Sequence, residues 1–188
     1  LSPHTRTMGP DMSTTLQRHE GRRQAIMHVE ATLRELKAVA NLPDPDLPLS
    51  HVFAPGAYAR TIVIPADTLF VGKIHKHAHL NMLMQGRVSV ATEEGPVLMD
   101  APMVLCSKAG TKRVVYAHTE TMWTTVHLTD STDLAEIEDQ VIAKSYEELD
   151  VFQQTHVDRD TYEQDHADYQ RVLTEQGVTQ EYITGITE

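Results

Sequence analysis

The chain has 188 residues with 16 Lys+Arg against 27 Asp+Glu, a formal net charge of −11, which suits one domain of roughly 100–200 residues with extensions. That balance argues against a nucleic-acid strand as partner, since a phosphate backbone needs a basic face. A single cysteine, Cys106, excludes an intramolecular disulfide and a thiolate zinc site, and the short apolar runs exclude a transmembrane helix.

The charge is unevenly placed. Residues 1–129 carry 13 basic and 11 acidic side chains, and residues 130–188 carry 3 and 16. The acidity therefore belongs to a C-terminal segment, and a shift this sharp marks a change of structural unit. Residues 1–12 contain Pro3, Gly9 and Pro10 and are expected to be disordered or carried over from cloning. Leu1 to Asp11 lack the layout of a signal peptide, so a cytoplasmic location is expected.

Residues 13–50 are expected to hold a helix over 14–40 and a proline-rich linker. Ile26, Val29, Leu33 and Leu36 recur at helical spacing, and the run from Pro43 to Pro48 stops the helix. Residues 51–129 read differently. Short segments rich in Val, Ile, Thr and Leu predict strands at 58–64, 69–77, 79–85, 87–92, 96–99, 102–106, 113–117 and 122–128. The turn residues between them include Gly86, Gly95 and Gly110. Eight short strands without intervening helices predict an antiparallel sandwich or barrel. Over 130–188 the helical period returns. Ser131 or Thr132 is expected to cap a helix carrying Leu134, Ile137 and Val141, with Glu136 near the capping-box position. A second helix is expected over 160–176, with Gly177 as its stop, and a short piece around 180–183.

The chemistry concentrates in Gly72-Lys73-Ile74-His75-Lys76-His77-Ala78-His79-Leu80-Asn81. Residues two apart share a strand face, so a regular strand points His75, His77, His79 and Asn81 the same way, with Ile74, Ala78 and Leu80 opposite. Neighbours in such a row stand roughly 6.5–7 Å apart at Cα, within reach of one metal for two imidazoles. Imidazole favours zinc, iron, manganese or nickel over calcium or magnesium. His75, His77 and His79 are the candidate ligands, with His127 or His118 from later strands completing the set. The rival reading of the row is a metal-free pocket face or a solvated surface.

Gly72, His75, His77 and Gly86 resemble the first motif of the cupin superfamily: a glycine, His-x-His, then a Glu and a turn glycine. The resemblance implies a jelly-roll barrel of mainly β class, with the N-terminal helix and C-terminal helices appended. Counting along the motif puts Asn81 or His79 at the family's Glu position, so the carboxylate is missing. Lys108-Ala109-Gly110-Thr111-Lys112-Arg113 resembles the second motif, with Lys108 replacing its proline and Arg113 replacing its histidine. Arginine stays protonated and does not ligate metal. The stretches 109–113 and 123–127 are also similar in style to cupins encoded by bacteriophages.

Arg113 is the candidate anchor for an anionic ligand. Lys73, Lys76, Lys108, Lys112, Arg60 and Arg87 add to the cationic character of the β region, with pairing to the acidic C-terminal helices as the rival reading. Asn81, Tyr116, His118 and Trp123 complete the candidate ligand-binding set; for Tyr116 and Trp123 the rival role is core packing. Cys106 is expected to be buried, and Met82, Met84, Met99 and Met103 to fill the interior. Three functions follow as expectations. The first is a metal-dependent enzyme acting on a small polar, anionic metabolite. The second is a non-catalytic module binding a small molecule such as a nucleotide signal. The third is a structural or assembly protein. A homo-oligomer is expected in each case.

Overall fold

The computed structural model describes residues 12–42 and 47–155. The expectations for residues 1–11, for the proline run 43–46 and for helices beyond residue 155 lie outside the described residues. Among the described residues the order is α1 (Met12–Ala40), ten strands and then the C-terminal elements. The strands are β1 (Leu49–Ala54), β2 (Ala57–Ile64), β3 (Thr68–Val71), β4 (Ile74–His75), β5 (His79–Gln85), β6 (Arg87–Thr92), β7 (Gly95–Asp100), β8 (Met103–Ser107), β9 (Val114–Ala117) and β10 (Thr121–Leu128). Helix α2 (Leu134–Val141), the short β11 (Ile142–Ala143) and α3 (Tyr146–Thr155) complete the described chain.

The pairing defines a jelly roll. One antiparallel sheet runs β1-β2-β10-β5-β8, and the other runs β3-β9-β6-β7. Apart from the extra edge strand β1, each sheet has four strands, and the chain crosses between them at β2–β3, from β3 through β4 to β5, and at β5–β6, β7–β8, β8–β9 and β9–β10. That interleaving is the double Greek key of jelly rolls. The core lies between the sheets, where Ile64, Leu83, Val88, Val90, Met99, Val115, Ala117 and Trp123 pack together. These side chains alternate with outward residues along their strands, as half-buried sheets require. The core fills one part of the barrel, and polar groups occupy the rest of the first sheet's inner face.

Several local expectations change. The strand expected at 69–77 breaks into β3 and β4, because β3 pairs with β9 while β4 pairs with β11. β1 was not expected as a strand; all six residues are exposed, so it has no buried alternation to signal it. The cap of α2 is Asp133, not Ser131 or Thr132: its carboxylate accepts from the backbone of Ala135 and Glu136, and carboxylate caps suit the positive helix N-terminus. Ser131 instead donates its hydroxyl to Glu136 at 2.7 Å. Cys106 is exposed, because β8 points it to the outer face together with Val104. Met99 is buried and Met103 half-buried against the core, but Met84 is exposed.

Helix α1 docks differently from a simple apolar face. Ile26 is buried, yet Leu36 is exposed. Polar contacts supply much of the hold: Arg22 donates to the Glu93 and Glu94 carbonyls, and buried Lys112 meets Glu30 at 2.9 Å.

Gly86 carries the turn from β5 into β6 at φ +97°, and a Cβ there would lie 2.5 Å from the Glu120 carbonyl oxygen. Both the left-handed backbone and this main-chain contact oppose a side chain. Gly86→Ala is therefore expected to cost about 2–3 kcal/mol, read as a lower urea midpoint. A loss below about 0.5 kcal/mol, the level of neutral surface changes, contradicts this account.

Candidate functional site

Three histidines meet in the barrel interior. His79 opens β5 and His127 sits near the end of β10. The β5–β10 ladder pairs Asn81 with Thr125 and Leu80 with Val126, and one further step brings His79 beside His127. His75 arrives from β4, whose pairing with β11 holds it over the same end. Ring centroids are 4.0 Å apart for His75–His79, 5.1 Å for His75–His127 and 4.9 Å for His79–His127. One ring nitrogen of each lies within 4.8 Å of the other two.

The three are buried, with exposures of 9%, 5% and 6% for His75, His79 and His127. Burial disfavours the imidazolium, and each ring feels positive charge nearby. Desolvation, then the neighbouring His79 and His127, lower His75 to about 2. Desolvation leads again in lowering His79 and His127 to about 4, with Arg60 contributing to both. All three are thus neutral at pH 7, the form that ligates metal. The His79 Nδ1 donates to the His77 carbonyl at 3.2 Å, which leaves Nε2 with its lone pair. Among the described residues, that Nε2 and the Nδ1 of His75 are buried without a hydrogen-bond partner. Buried polar atoms are normally paired, so two unpartnered imidazole nitrogens on rings that cluster with a third fit a metal ion. Three neutral imidazoles suit zinc, iron, manganese or nickel, with coordination positions left open.

His77 does not join this group. Lys76 donates its N–H to Val141 at 2.8 Å, and its ammonium meets Glu148 at 3.1 Å. These contacts bend the chain between β4 and β5, so the two-residue alternation is lost. The exposed His77 ring meets the edge of Phe152 at 5.1 Å between centroids. Its carbonyl, rather than its imidazole, serves the site.

Asn81 lies at the base of the cluster with 0% exposure. Its side-chain oxygen accepts from Trp123 Nε1 at 3.0 Å and Arg113 Nη1 at 3.2 Å. Its amide donates to the Ser107 hydroxyl at 2.7 Å and to the His79 carbonyl at 3.4 Å. Arg113 also donates to Ser107 and stacks 5.7 Å from the Trp123 ring. Asn81, one of the two residues that the resemblance offered for the family's Glu, and Arg113, at the second-motif His position, lie together. Here they bond to each other and form a polar support beneath the histidines. Arg113 is therefore engaged with protein groups rather than offered to a ligand as expected.

Tyr116 and His118 are placed elsewhere. The β9 strand buries Val115 and Ala117 and turns Tyr116 outward, where its hydroxyl donates to Asp67 at 2.8 Å. His118 is exposed, bonded to Ser89 at 2.7 Å and edge-on to Tyr116. Both lie on the outer face of the second sheet, apart from the three histidines.

A cavity of about 260 Å³ opens beside the cluster. His75, His127, Tyr58 and Arg60 form its polar side, and Leu134, Ile137, Val141 and Ile142 form an apolar wall. The wall comes from α2 and β11, whose Ile137 and Val141 pack on Tyr58. Tyr58 shares a 2.7 Å hydrogen bond with His51. Arg60 is the cavity residue that sequence reasoning left among the general cations. Its signal was the register: on β2 it stands opposite Thr125, two residues from His127.

The neutral histidines make stability pH-dependent in metal-free protein. Their folded values of about 2 to 4 lie below the ordinary 6.5. Below pH 6.5 the unfolded chain gains protons that the folded chain resists, so this stability is present above 6.5 and is lost as pH falls toward 4. Each histidine is expected to contribute up to about 1.4 kcal/mol per pH unit in that window. Urea unfolding with chelator from pH 7 to 5 checks it, above the carboxylate range. The triple alanine variant of His75, His79 and His127 should flatten the profile, and an equal slope in that variant contradicts the assignment.

No protein-family model matches the chain, and no curated protein sequence does. Solved structures are similar over about half of it. Ectoine synthase from P. lautus is 14% identical, over 50% of this chain and 71% of that one, with a TM-score of 0.42. A cupin superfamily protein from Desulfitobacterium hafniense is 9% identical, over 47% and 82%, at 0.40. An acetylacetone dioxygenase from Acinetobacter johnsonii is 17% identical, over 46% and 66%, at 0.39. These likenesses concern fold.

Proposed function

The chain folds as a double-sheet jelly roll with three histidines clustered inside it, and from that premise we propose that it is a metal-dependent enzyme acting on a small polar, anionic metabolite. The observation that carries this reading is the set of three buried, neutral imidazoles with the Nε2 of His79 and the Nδ1 of His75 left unpaired among the described residues. His75, His79 and His127 would hold one transition metal. Such a metal supplies Lewis acidity at its open positions. The chain's own groups supply the rest. The His77 carbonyl fixes the tautomer of His79, a support that ligating histidines commonly use. Asn81, Arg113 and Ser107 hold the inner wall rigid. Leu134, Ile137 and Val141 of α2 give the cavity an apolar wall on one side.

Protein purified without chelator is expected to contain about one Fe, Mn, Ni or Zn per chain by elemental analysis and native mass spectrometry. Chelation should remove the ion and dialysis against it should restore it. Protein that holds no metal and takes up none of the four ends this reading.

A further inference from the structure

The β region carries several cations, and nearly all are matched within the protein. Lys73 pairs with Glu138, Lys76 with Glu148, Arg87 with Asp100, Lys108 with Glu94 and Lys112 with Glu30. Arg113 is taken by Asn81 and Ser107. Arg60 differs. It is half-buried on the inner face of β2 and lines the cavity with His75 and His127. Among the described residues, neither a carboxylate nor a carbonyl accepts from its guanidinium; its backbone is held in the β2 ladders, and its carbonyl also accepts from the Thr125 hydroxyl.

The cavity's own acidic residue does not fill that role. Glu138 lies on α2 and is paired with Lys73. Tyr58, also in the wall, is a neutral phenol kept protonated by burial. A guanidinium held partly out of water beside an apolar wall is costly unless an anion meets it. Its planar fork matches a carboxylate through two parallel N–H···O bonds. Opposite it, Leu134, Ile137, Val141 and Ile142 offer only hydrocarbon, which a phosphate or polyol would leave unused. The volume of about 260 Å³ is slightly under the roughly 300–1,000 Å³ of drug-sized sites, so the occupant is a small molecule.

We propose that Arg60 is the substrate anchor, forking onto the carboxylate of a short-chain aliphatic acid whose hydrocarbon part rests on α2 beside the three histidines. This rests on the metal-enzyme reading for its chemistry, but the binding itself depends on Arg60 and the cavity alone. It also reassigns the anchoring role from Arg113 to Arg60.

The probe is 4-methylpentanoate, titrated calorimetrically into full-length wild-type protein, both chelator-treated and zinc-loaded. Its neutral amide and inorganic phosphate serve as comparisons, and zinc content is measured for every variant. The wild type is expected to bind the carboxylate, with the amide at least tenfold weaker, as fits loss of a charge-assisted hydrogen bond. Arg60→Met should weaken the carboxylate at least tenfold while neither its zinc uptake nor its urea midpoint falls below the wild-type value. Arg60→Lys should recover part of the binding, since the charge returns without the fork. Equal carboxylate binding by Arg60→Met, preference for phosphate, or no carboxylate binding by the wild type each overturns the proposal. The metal reading fails separately: Arg60-dependent carboxylate binding in protein that takes up no metal keeps this anchor and removes that reading. Zinc uptake with no carboxylate binding does the reverse.

Discussion

His75→Ala, His79→Ala and His127→Ala are each expected to lower metal affinity at least 100-fold, while His77→Ala keeps the wild-type value. The floor comes from ligand-supporting groups, whose loss alone costs roughly 10–100-fold; a direct ligand must exceed it. The contrast with His77 makes the experiment diagnostic. Four histidines lie close in sequence or space, and a flexible surface chelate would spread the loss over His75, His77 and His79. The structure concentrates it on the three whose ring nitrogens lie within 4.8 Å of each other. His77 serves His79 through its backbone carbonyl, which alanine retains. Metal content after dialysis against a buffered competitor reads the affinity. A His77→Ala loss equal to that of His79→Ala would sink the geometric assignment, as would full retention by any one of the other three.

Asn81→Leu should destabilise the metal-free protein by about 4 kcal/mol. The side chain is near leucine in size, so the cost is electrostatic rather than a cavity. Removing the amide strands the indole N–H of Trp123 and one guanidinium N–H of Arg113, which meet the Asn81 oxygen at 3.0 and 3.2 Å. It also takes the amide donor from Ser107. A buried donor left unpaired costs about 1–3 kcal/mol, more when it is charged. Breaking one side of a buried charged contact costs about 3–5 kcal/mol. Asn81→Asp keeps an acceptor for both donors and should cost less than half as much. Urea unfolding followed by the fluorescence of the single tryptophan measures both, since Trp123 is itself in the network. A loss under about 1 kcal/mol for Asn81→Leu would mean that the polar layer relaxes freely and does not brace the histidines.

The strands were legible where their neighbours cooperate. β5 and β6 begin and end at the expected residues, His79–Gln85 and Arg87–Thr92. Each alternates buried and outward side chains, and Gly86 marks the sheet change with a positive φ. α3 was missed because its one buried residue, Leu149, is set in an acidic stretch, and one apolar contact does not produce a period. The candidate site was legible in its residue type and region, with His75, His79 and His127 all among the expected ligands. His77 was drawn in by a parity argument that holds only for an unbroken strand. The break comes from contacts of Lys76 with Val141 and Glu148, 65 and 72 positions further along the chain.

The sequence by itself determined the class of this protein. Alternating apolar residues and glycine turns dictate a double-sheet barrel, and an uncommon density of histidine near one glycine dictates where coordination chemistry can occur. Those are local properties, set by backbone sterics and the two-residue period of a strand. Tertiary structure alone decided which side chains converge. Whether Arg113 or Arg60 meets a ligand depends on which acceptors lie within hydrogen-bond reach, and Asn81 and Ser107 claim Arg113 across the barrel. Coulomb and hydrogen-bond energies act over a few ångströms, while the residues that satisfy them are separated by tens of positions. Chain spacing carries no record of that pairing, so Arg113 is bound by protein groups and Arg60 lines the cavity only once the sheets are closed.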